Sequence, residues 1–176
     1  MPGYNNNDKF RIEYNLNSIF MQNYTNYKVI IIDDASNDSS IEVYRKYLQF
    51  YKINPRYYTL IVNEKRVTAL PNHYFAVINH CHNDSIVLNI DGDDEYIGRN
   101  VFQLFNNAYQ KKKAGMVYTN YYWYNGSKII EGFTKAYSEH ERNNSLYRSL
   151  KMKFSQTRSF RAELIYHVDP ANFLDH

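Results

Sequence analysis

The pattern that most constrains the fold is a short β-branched run, YKVIIIDD, which lies between two stretches with helical periodicity. The run covers residues 27–34, and residues 9–22 and 39–52 on either side place apolar side chains three and four positions apart. A continuous apolar run of this length is typical of a strand that is buried on both faces of a parallel sheet. The pattern therefore predicts strands alternating with helices around such a sheet.

The alternation continues along the rest of the chain. Strands are predicted over 57–63, 85–91 and 115–124, helices over 69–82 and from Val101 to Tyr109, and a hairpin turn over 125–127. Strand–helix–strand units have right-handed crossovers, so we expect an α/β fold with a mostly parallel sheet flanked by helices. A chain of 176 residues fits one domain with its own core.

Two of the predicted strands end in acidic residues. Asp33 and Asp34 follow the first strand, and Asp91-Gly92-Asp93-Asp94 follows the strand over 85–91. In open α/β sheets, ligands bind beyond the carboxyl ends of the strands. If both strands are parallel, both acidic segments reach the same edge of the sheet, and that edge is the expected site.

Two interpretations of Asp91–Asp94 are open on spacing alone. Carboxylates this close repel one another, and a hard divalent cation, Mg²⁺ or Mn²⁺, would relieve the repulsion. Alternatively, the segment is a solvated loop before a helix, where acidic residues stabilise the helix dipole. An EF-hand calcium loop does not fit, because Tyr96 and Phe102 stand where Gly and Glu are required.

Charge and composition narrow the classes of partner. The net charge of +3 and a pI near 8.8 do not predict nucleic-acid binding, since no basic cluster extends beyond KKK at 111–113. The single cysteine, Cys81, excludes an internal disulfide and a Cys-rich zinc site. The sequence has no apolar run of membrane-spanning length, so we expect a cytoplasmic protein, or one associated peripherally with the cytosolic face of a membrane.

Four segments, in this order, resemble family 2 glycosyltransferases of the GT-A fold, a Rossmann-like α/β architecture. They are PGYNN (2–6), SIFMQNYTNYKVIIIDDASNDSS (18–40), NEKRVTALPNHYFAVINHC (63–81) and SIVLNIDGDDEY (85–96). Later, FSQTRSFRAELI (154–165) is similar to an S-H-x-R-T-F-R segment of some members, with Gln156 in place of His. The resemblance covers residues 2 to about 100 most clearly.

The resemblance implies transfer of a sugar from a nucleotide diphosphate sugar, usually a UDP-sugar, to an acceptor hydroxyl. It implies that Tyr4 lies against the base and that Asp34 accepts a hydrogen bond from the uracil N–H. Arg66 stands near where a basic residue often contacts the donor. The acceptor would be a glycan, a lipid or a protein, and the reaction would invert the anomeric configuration.

The resemblance also implies a metal site at the D-x-D motif, which would hold Mn²⁺ or Mg²⁺. Asp91 would face the ribose or a water on the metal, Asp93 would bind the metal directly, and Asp94 would lie close to it. The cation would then neutralise the negative charge that develops on the diphosphate leaving group.

The sequence departs from the family pattern in several places. The strand expected before P-x-Y-N is missing, and the chain stops before the segment that carries the catalytic base, which we expect beyond His176; Asp169 and Asp175 are weak substitutes. Residues 1–112 would be the nucleotide-sugar-binding half, and 113–176 an incomplete start of the acceptor-side half. Thr68 replaces a glycine found in part of the family.

Two further interpretations remain to be considered. One stays open, and the residues themselves disfavour the other. A truncated, non-catalytic relative that binds a nucleotide, or a fragment without activity, is the alternative to an enzyme. A nucleotidyltransferase would need a glycine-rich phosphate loop, and PGYNNND does not provide one.

Overall fold

The structure is a computed structural model that describes residues 1–8, 10–111, 114–144, 153 and 157–174. Part of the KKK cluster, Gln156 and Asp175, which the sequence analysis singles out, lie outside the described residues.

The first sheet is parallel and contains the β-branched run. Strands β1 (Pro2–Gly3), β2 (Val29–Asp33) and β3 (Tyr58–Val62) are ordered β1-β2-β3. β2 is buried along nearly its whole length, as the continuous apolar run predicts. β1 pairs only with Ile32 and Asp33, at the position where the family pattern places a longer first strand.

Two amphipathic helices form the core with this sheet. Helices α1 (Arg11–Phe20) and α2 (Ser40–Phe50) pack against each other and against β2. Apolar burial is the main driving force for this arrangement. The buried members of the cluster are Met1, Ile12, Leu16, Ile19, Val29, Ile31, Tyr44, Tyr47, Leu48, Ile90 and Tyr96.

The second sheet is antiparallel and combines strands from distant parts of the chain. Strands β4 (Ile86–Asn89), β5 (Met116–Tyr118) and β8 (Arg158–Arg161) are ordered β4-β8-β5. The prediction of a parallel sheet flanked by helices is confirmed for the first sheet, but β4 pairs with β8 and not with β1. Helices α3 (Ala69–His80) and α4 (Val101–Lys111) flank β4 in sequence, as predicted.

The remaining elements follow β5. The predicted hairpin is confirmed as β6 (Tyr122–Tyr124) and β7 (Ile129–Glu131), whose residues are all exposed. Short helices α5 (Glu139–Asn143) and α6 (Ala171–Leu174) and two 3₁₀ helices, Pro55–Tyr57 and Ala162–His167, complete the described structure. None of the helices in the described ranges has the length and apolar character that crossing a bilayer requires.

Candidate functional site

The turn after β1 and the acidic turn after β4 meet at two glycines. A Cβ atom on Gly3 would lie 2.7 Å from Nδ2 of Asn6, and a Cβ atom on Gly92 would meet the same nitrogen. Both backbones therefore approach a single side-chain amide so closely that a larger residue at either position would displace Asn6. The carboxyl ends of β1 and β4 thus lie side by side, although the two strands belong to different sheets.

Tyr44 lies at this junction, and the charges around it affect the pKa of its hydroxyl. Its side chain is almost fully buried in α2, and burial raises the pKa of its hydroxyl to about 12. The Asn6 side chain works in the other direction, and the carboxylates of Asp33, Asp38 and Asp93 contribute to this raised value. Acidic groups that follow β2 and β4 are therefore close enough to act on the Tyr44 hydroxyl. The predicted convergence of the two acidic segments requires this closeness.

The acidic turn has a defined backbone and an exposed tip. The amide of Asp94 donates to the carbonyl of Asp91 at 3.2 Å, which closes the turn. The Asp93 carboxylate is half exposed and lies 3.6 Å from the Arg11 guanidinium of α1. An ion pair this exposed contributes little stability, so Arg11 holds Asp93 only weakly.

The carboxylates of this turn repel one another. Burial and, to a smaller extent, the neighbouring charges of Asp93 and Asp91 raise the pKa of Asp94 to about 6. A divalent cation would relieve this repulsion, and carboxylate oxygens are the ligands that Mg²⁺ and Mn²⁺ prefer.

The donor set suits a cation shared with a ligand better than one enclosed by protein. Among the described residues, no group of three or more His, Cys, Asp or Glu side chains could hold a metal ion. Mg²⁺ is commonly bound by one or two carboxylates together with substrate phosphates, and Asp91 and Asp93 can supply those carboxylates. The residues therefore fit a metal whose coordination a diphosphate completes.

Asp34 is buried and organises the loop that follows β3. Its Oδ1 accepts hydrogen bonds from Nδ2 of Asn63 at 2.7 Å and from the amide of Val67 at 2.9 Å, and its Oδ2 accepts from the amide of Thr68 at 2.9 Å. Burial raises the pKa of Asp34, but the nearby Asn72 side chain and these hydrogen bonds outweigh it and lower the pKa below its ordinary value. Asp34 is therefore ionised and already bonded to protein donors.

The loop around Asp34 carries Arg66 to Tyr4. The Arg66 guanidinium carbon lies 4.0 Å from the centroid of the Tyr4 ring, in a cation–π contact. Arg66 is exposed and Tyr4 is partly buried, so the stacked pair faces solvent at the end of the first sheet. The structure thus brings together the three residues assigned to the donor: Asp34 is bonded to the loop that follows β3, and Arg66 of that loop stacks on Tyr4.

Asp34 and Asp93 leave the edge of the sheets toward different helices. Asp34 contacts the segment that leads into α3, whereas Asp93 contacts α1. The amide of Asp34 donates to the carbonyl of Gly3 at 2.8 Å, and Gly3 and Gly92 lie against the same Asn6 side chain. The two acidic segments are therefore connected through Gly3 and Asn6.

Two depressions flank β3 at its opposite ends. One, of about 610 Å³, is lined by Val62, Asn63, Glu64, Lys65 and Val67 and adjoins the Asp34 loop. The other, of about 560 Å³, is lined by residues of α2 and of the start of β3, including Arg45, Lys52 and Tyr58. Only the first lies at the carboxyl end of the strands, where the acidic turns are, so the second is not part of the site.

Sequence reasoning missed two asparagines that build the site. Asn6 fills the junction between Gly3 and Gly92, and Asn15 of α1 is fully buried and bonds to the acidic turn. A signal for Asn15 was present, because it falls on the apolar stripe that Ile12, Leu16 and Ile19 define. A polar residue on a buried stripe must find a hydrogen-bond partner.

Comparison with known proteins identifies a family. The model of the family described as glycosyl transferase family 2 matches residues 1–169. No curated protein matches the chain.

Solved structures share the fold at low sequence identity. The structure of S. aureus TarS 1–349 in complex with UDP superposes with a TM-score of 0.68 at 18% identity, over 94% of this chain and 46% of that chain. The complex of TarS 1–349 with UDP-GlcNAc gives 0.68 at 20% identity, over 94% and 45%. The mannosyltransferase PcManGT from Pyrobaculum calidifontis, in complex with GDP-Man and Mn²⁺, gives 0.63 at 18% identity, over 94% and 45%. The chain spans less than half the length of these proteins.

Proposed function

Because this chain belongs to glycosyl transferase family 2, we propose that it forms the donor-binding part of a metal-dependent, inverting enzyme that moves a sugar from a nucleotide diphosphate sugar to an acceptor hydroxyl. The observation that carries the proposal is the meeting of the Tyr4 segment and the acidic turn at Gly3 and Gly92. A nucleotide base at the first segment and a diphosphate at the second would lie on one continuous edge. This is also the edge at which α/β folds bind nucleotides.

We assign the base to Tyr4 and the loop around Asp34. The Tyr4 ring offers one face to Arg66, and a base would lie against the ring face or edge that Arg66 does not cover. Asp34 orders the backbone of Val67 and Thr68, and Oδ2 keeps a lone pair for a ligand N–H, since a carboxylate oxygen can accept more than one hydrogen bond. The guanidinium of Arg66 is exposed and can turn toward a phosphate.

We assign the diphosphate and the cation to the acidic turn. Asp93 would bind Mn²⁺ or Mg²⁺ directly, Asp91 would bind it or a water on it, and Asp94 would stay close by with a raised pKa. A bound divalent cation supplies charge neutralisation for the leaving diphosphate. The protein's own part is to hold the carboxylates in place before the ligand arrives, which lowers the cost of reorganisation during the reaction.

The proposed transfer breaks the bond between the anomeric carbon and the diphosphate oxygen and forms one from that carbon to the acceptor oxygen. A general base would take the proton of the acceptor hydroxyl. Asp169 is not a good candidate, because its Oδ1 accepts a hydrogen bond from the amide of Ala171 at 3.0 Å and so caps α6. We assign the role of general base to none of the described residues.

The proposed donor is a UDP-sugar, and UDP is the probe for its test. Titration of the protein with UDP, with and without Mn²⁺, is expected to show tighter binding when the metal is present. Asp93→Ala should remove this gain in affinity while leaving metal-free binding in place. UDP-sugar turnover in the same samples separates an enzyme from a relative that binds the nucleotide without transfer.

Asp8→Ala is the matched control for Asp93→Ala. Asp8 lies 3.6 Å from the same Arg11 guanidinium as Asp93 does, and it is exposed to a similar extent, but it lies outside the acidic turn. We expect it to keep the metal-dependent gain. If Asp93→Ala binds UDP as tightly as the unaltered protein does in the presence of Mn²⁺, the metal assignment is wrong.

A further inference from the structure

Asn15 is a polar residue in an apolar position. It lies on the face of α1 that packs into the core and is fully buried, next to Leu16 and one turn from Ile12 and Ile19. Burying an amide away from water costs free energy unless hydrogen bonds replace those it makes with the solvent. An apolar residue would fit the stripe without this cost, so the position calls for an explanation.

The Asn15 amide bonds to both ends of the acidic turn. Its Nδ2 donates to the carbonyl of Asp91 at 3.0 Å and to the carbonyl of Asp94 at 2.6 Å. A side-chain amide has two N–H groups, and here both are used on the two residues that bracket the turn. The turn is also closed by its own hydrogen bond between the amide of Asp94 and the carbonyl of Asp91.

Ser18 of α1 and Gln22, which lies just after the helix, hold the following segment at other points. Oγ of Ser18 accepts from the amide of Tyr96 at 3.0 Å, and Nε2 of Gln22 donates to the carbonyl of Gly98 at 2.7 Å. Oε1 of Gln22 accepts from the amide of Val101 at 2.8 Å. Helix α1 and the residues just after it therefore hold several points between Asp91 and Val101, and Asn15 is the contact that falls on the backbone of the acidic turn.

The turn needs such a contact because repulsion between its carboxylates opposes the closed shape of its backbone. Asp91, Asp93 and Asp94 lie within four residues, and their mutual repulsion favours a more open backbone. Two hydrogen bonds from a rigid, buried helix offset that repulsion before any cation is bound. The tip residue, Asp93, is then left exposed and aimed along α1, where it reaches Arg11.

We infer that Asn15 is a positioning residue of the metal site: its amide fixes the Asp91–Asp94 backbone so that the Asp93 carboxylate is held ready for a divalent cation. This inference rests on the proposed function, because it assigns to Asn15 the geometry of the site proposed there. Asn15 would touch neither the cation nor the nucleotide, and it acts through the turn alone.

The test compares Asn15→Leu with Gln22→Ala in titrations with UDP, with and without Mn²⁺. Leu has the same number of side-chain heavy atoms as Asn and the same branching, and it donates no hydrogen bond. Gln22→Ala is the matched control, because Gln22, just after α1, is also a buried amide that bonds to the same segment, but seven positions further along and away from the carboxylates. Circular dichroism and thermal unfolding verify that each variant is folded.

We expect Asn15→Leu to lower the Mn²⁺-dependent gain in UDP affinity by about tenfold, as loss of a residue that orients a metal ligand usually does. Metal-free binding of UDP should be unchanged, and Gln22→Ala should keep the gain. A merely structural role would weaken binding with and without Mn²⁺ alike, and in both variants. If Asn15→Leu does not fold, Asn15→Ala replaces it, because it removes the amide without adding bulk.

The outcomes separate this inference from the proposed function. If the unaltered protein gains affinity from Mn²⁺ and Asn15→Leu gains as much, the role of Asn15 is refuted and the metal site stands. An equal loss in Asn15→Leu and Gln22→Ala also refutes the positioning role. If the unaltered protein gains nothing from Mn²⁺, the proposed function fails, and the inference fails with it.

Discussion

At the scale of single residues, the loop around Asp34 is held in a strained conformation. Thr68 has a φ of 76°, in the region that favours glycine, and its amide donates to Oδ2 of Asp34. The neighbouring amide of Val67 donates to Oδ1, so the backbone wraps around the carboxylate. The strain is tolerated because these charge-assisted hydrogen bonds hold the loop closed. The glycine that part of the family carries here would adopt this conformation freely.

Thr68→Gly is therefore expected to stabilise the protein. Relief of the strained φ should exceed the entropic cost of glycine in the unfolded chain, for a net gain of about 1 kcal/mol in the free energy of unfolding. Urea denaturation monitored by circular dichroism measures the change. Thr25→Gly is the control. Thr25 is exposed and has no positive φ, so its replacement by glycine should lower the free energy of unfolding. A loss of stability in Thr68→Gly would contradict the claim that the backbone of Thr68 is strained.

At the scale of elements, α1 serves the core and the site at once. Leu16 and Ile19 pack into the cluster formed with α2 and β2, while Asn15 and Ser18 bond to the segment after β4. The register of α1 on the first sheet therefore sets the position of the acidic turn. Changes in the packing of α1 should reach the site even where they touch no acidic residue.

Leu16→Ala tests the core contribution of α1. Leu16 is fully buried, and a Leu→Ala change at such a position costs about 3 kcal/mol in the free energy of unfolding, from lost apolar burial and the cavity that remains. Leu104→Ala provides the matched control, since Leu104 lies on helix α4 and is 65% exposed. Chemical denaturation of both variants should show a large loss for the first and almost none for the second. Similar losses would mean that Leu16 is not part of a tightly packed core.

At the scale of the whole molecule, two sheets meet along a polar boundary. His73 of α3 lies at this boundary, where the α-amino group of Met1, beside the first sheet, and the guanidinium of Arg158, in the second, both act on it. Burial and, to a smaller extent, these two positive groups lower the pKa of His73 from its ordinary value of 6.5 to about 4. His73 is therefore neutral in the folded protein at pH 7.

This lowered pKa predicts a loss of stability in acid. Because the unfolded chain binds a proton at this side chain near pH 6.5 and the folded chain only near pH 4, the stabilisation is complete above pH 6.5 and is lost as the pH falls toward 4. The contribution amounts to about 2 kcal/mol between pH 7 and pH 5. His73→Gln should lose correspondingly less stability over this interval, as measured by urea denaturation at the two pH values.

His82→Gln is the control for the acid effect. His82 is exposed after α3, so its replacement should leave the pH dependence of unfolding as it is in the unaltered protein. If His73→Gln and the unaltered protein lose the same free energy between pH 7 and pH 5, His73 titrates alike in the folded and unfolded states. The burial argument for this boundary would then be wrong.

The chain's local patterns were sufficient for much of the architecture. The β-branched run of β2, the helical stripe of α1 and the turn before β7 depend on residues only a few positions apart, and each was predicted with its correct type. The acids at the ends of β2 and β4 were recognisable for the same reason. These features follow from backbone geometry and side-chain periodicity, which a short segment determines by itself.

Only the tertiary structure decided which distant segments meet. Nothing within residues 85–91 indicates that β4 pairs with β8, and Asn15 contacts Asp94 across 79 positions of sequence. Such contacts depend on how whole elements pack, because every buried polar group must find a partner among those that the packing brings near. The sequence therefore determined the acidic turn, while the packing of α1 and the approach of Asn6 determined the shape in which it is held.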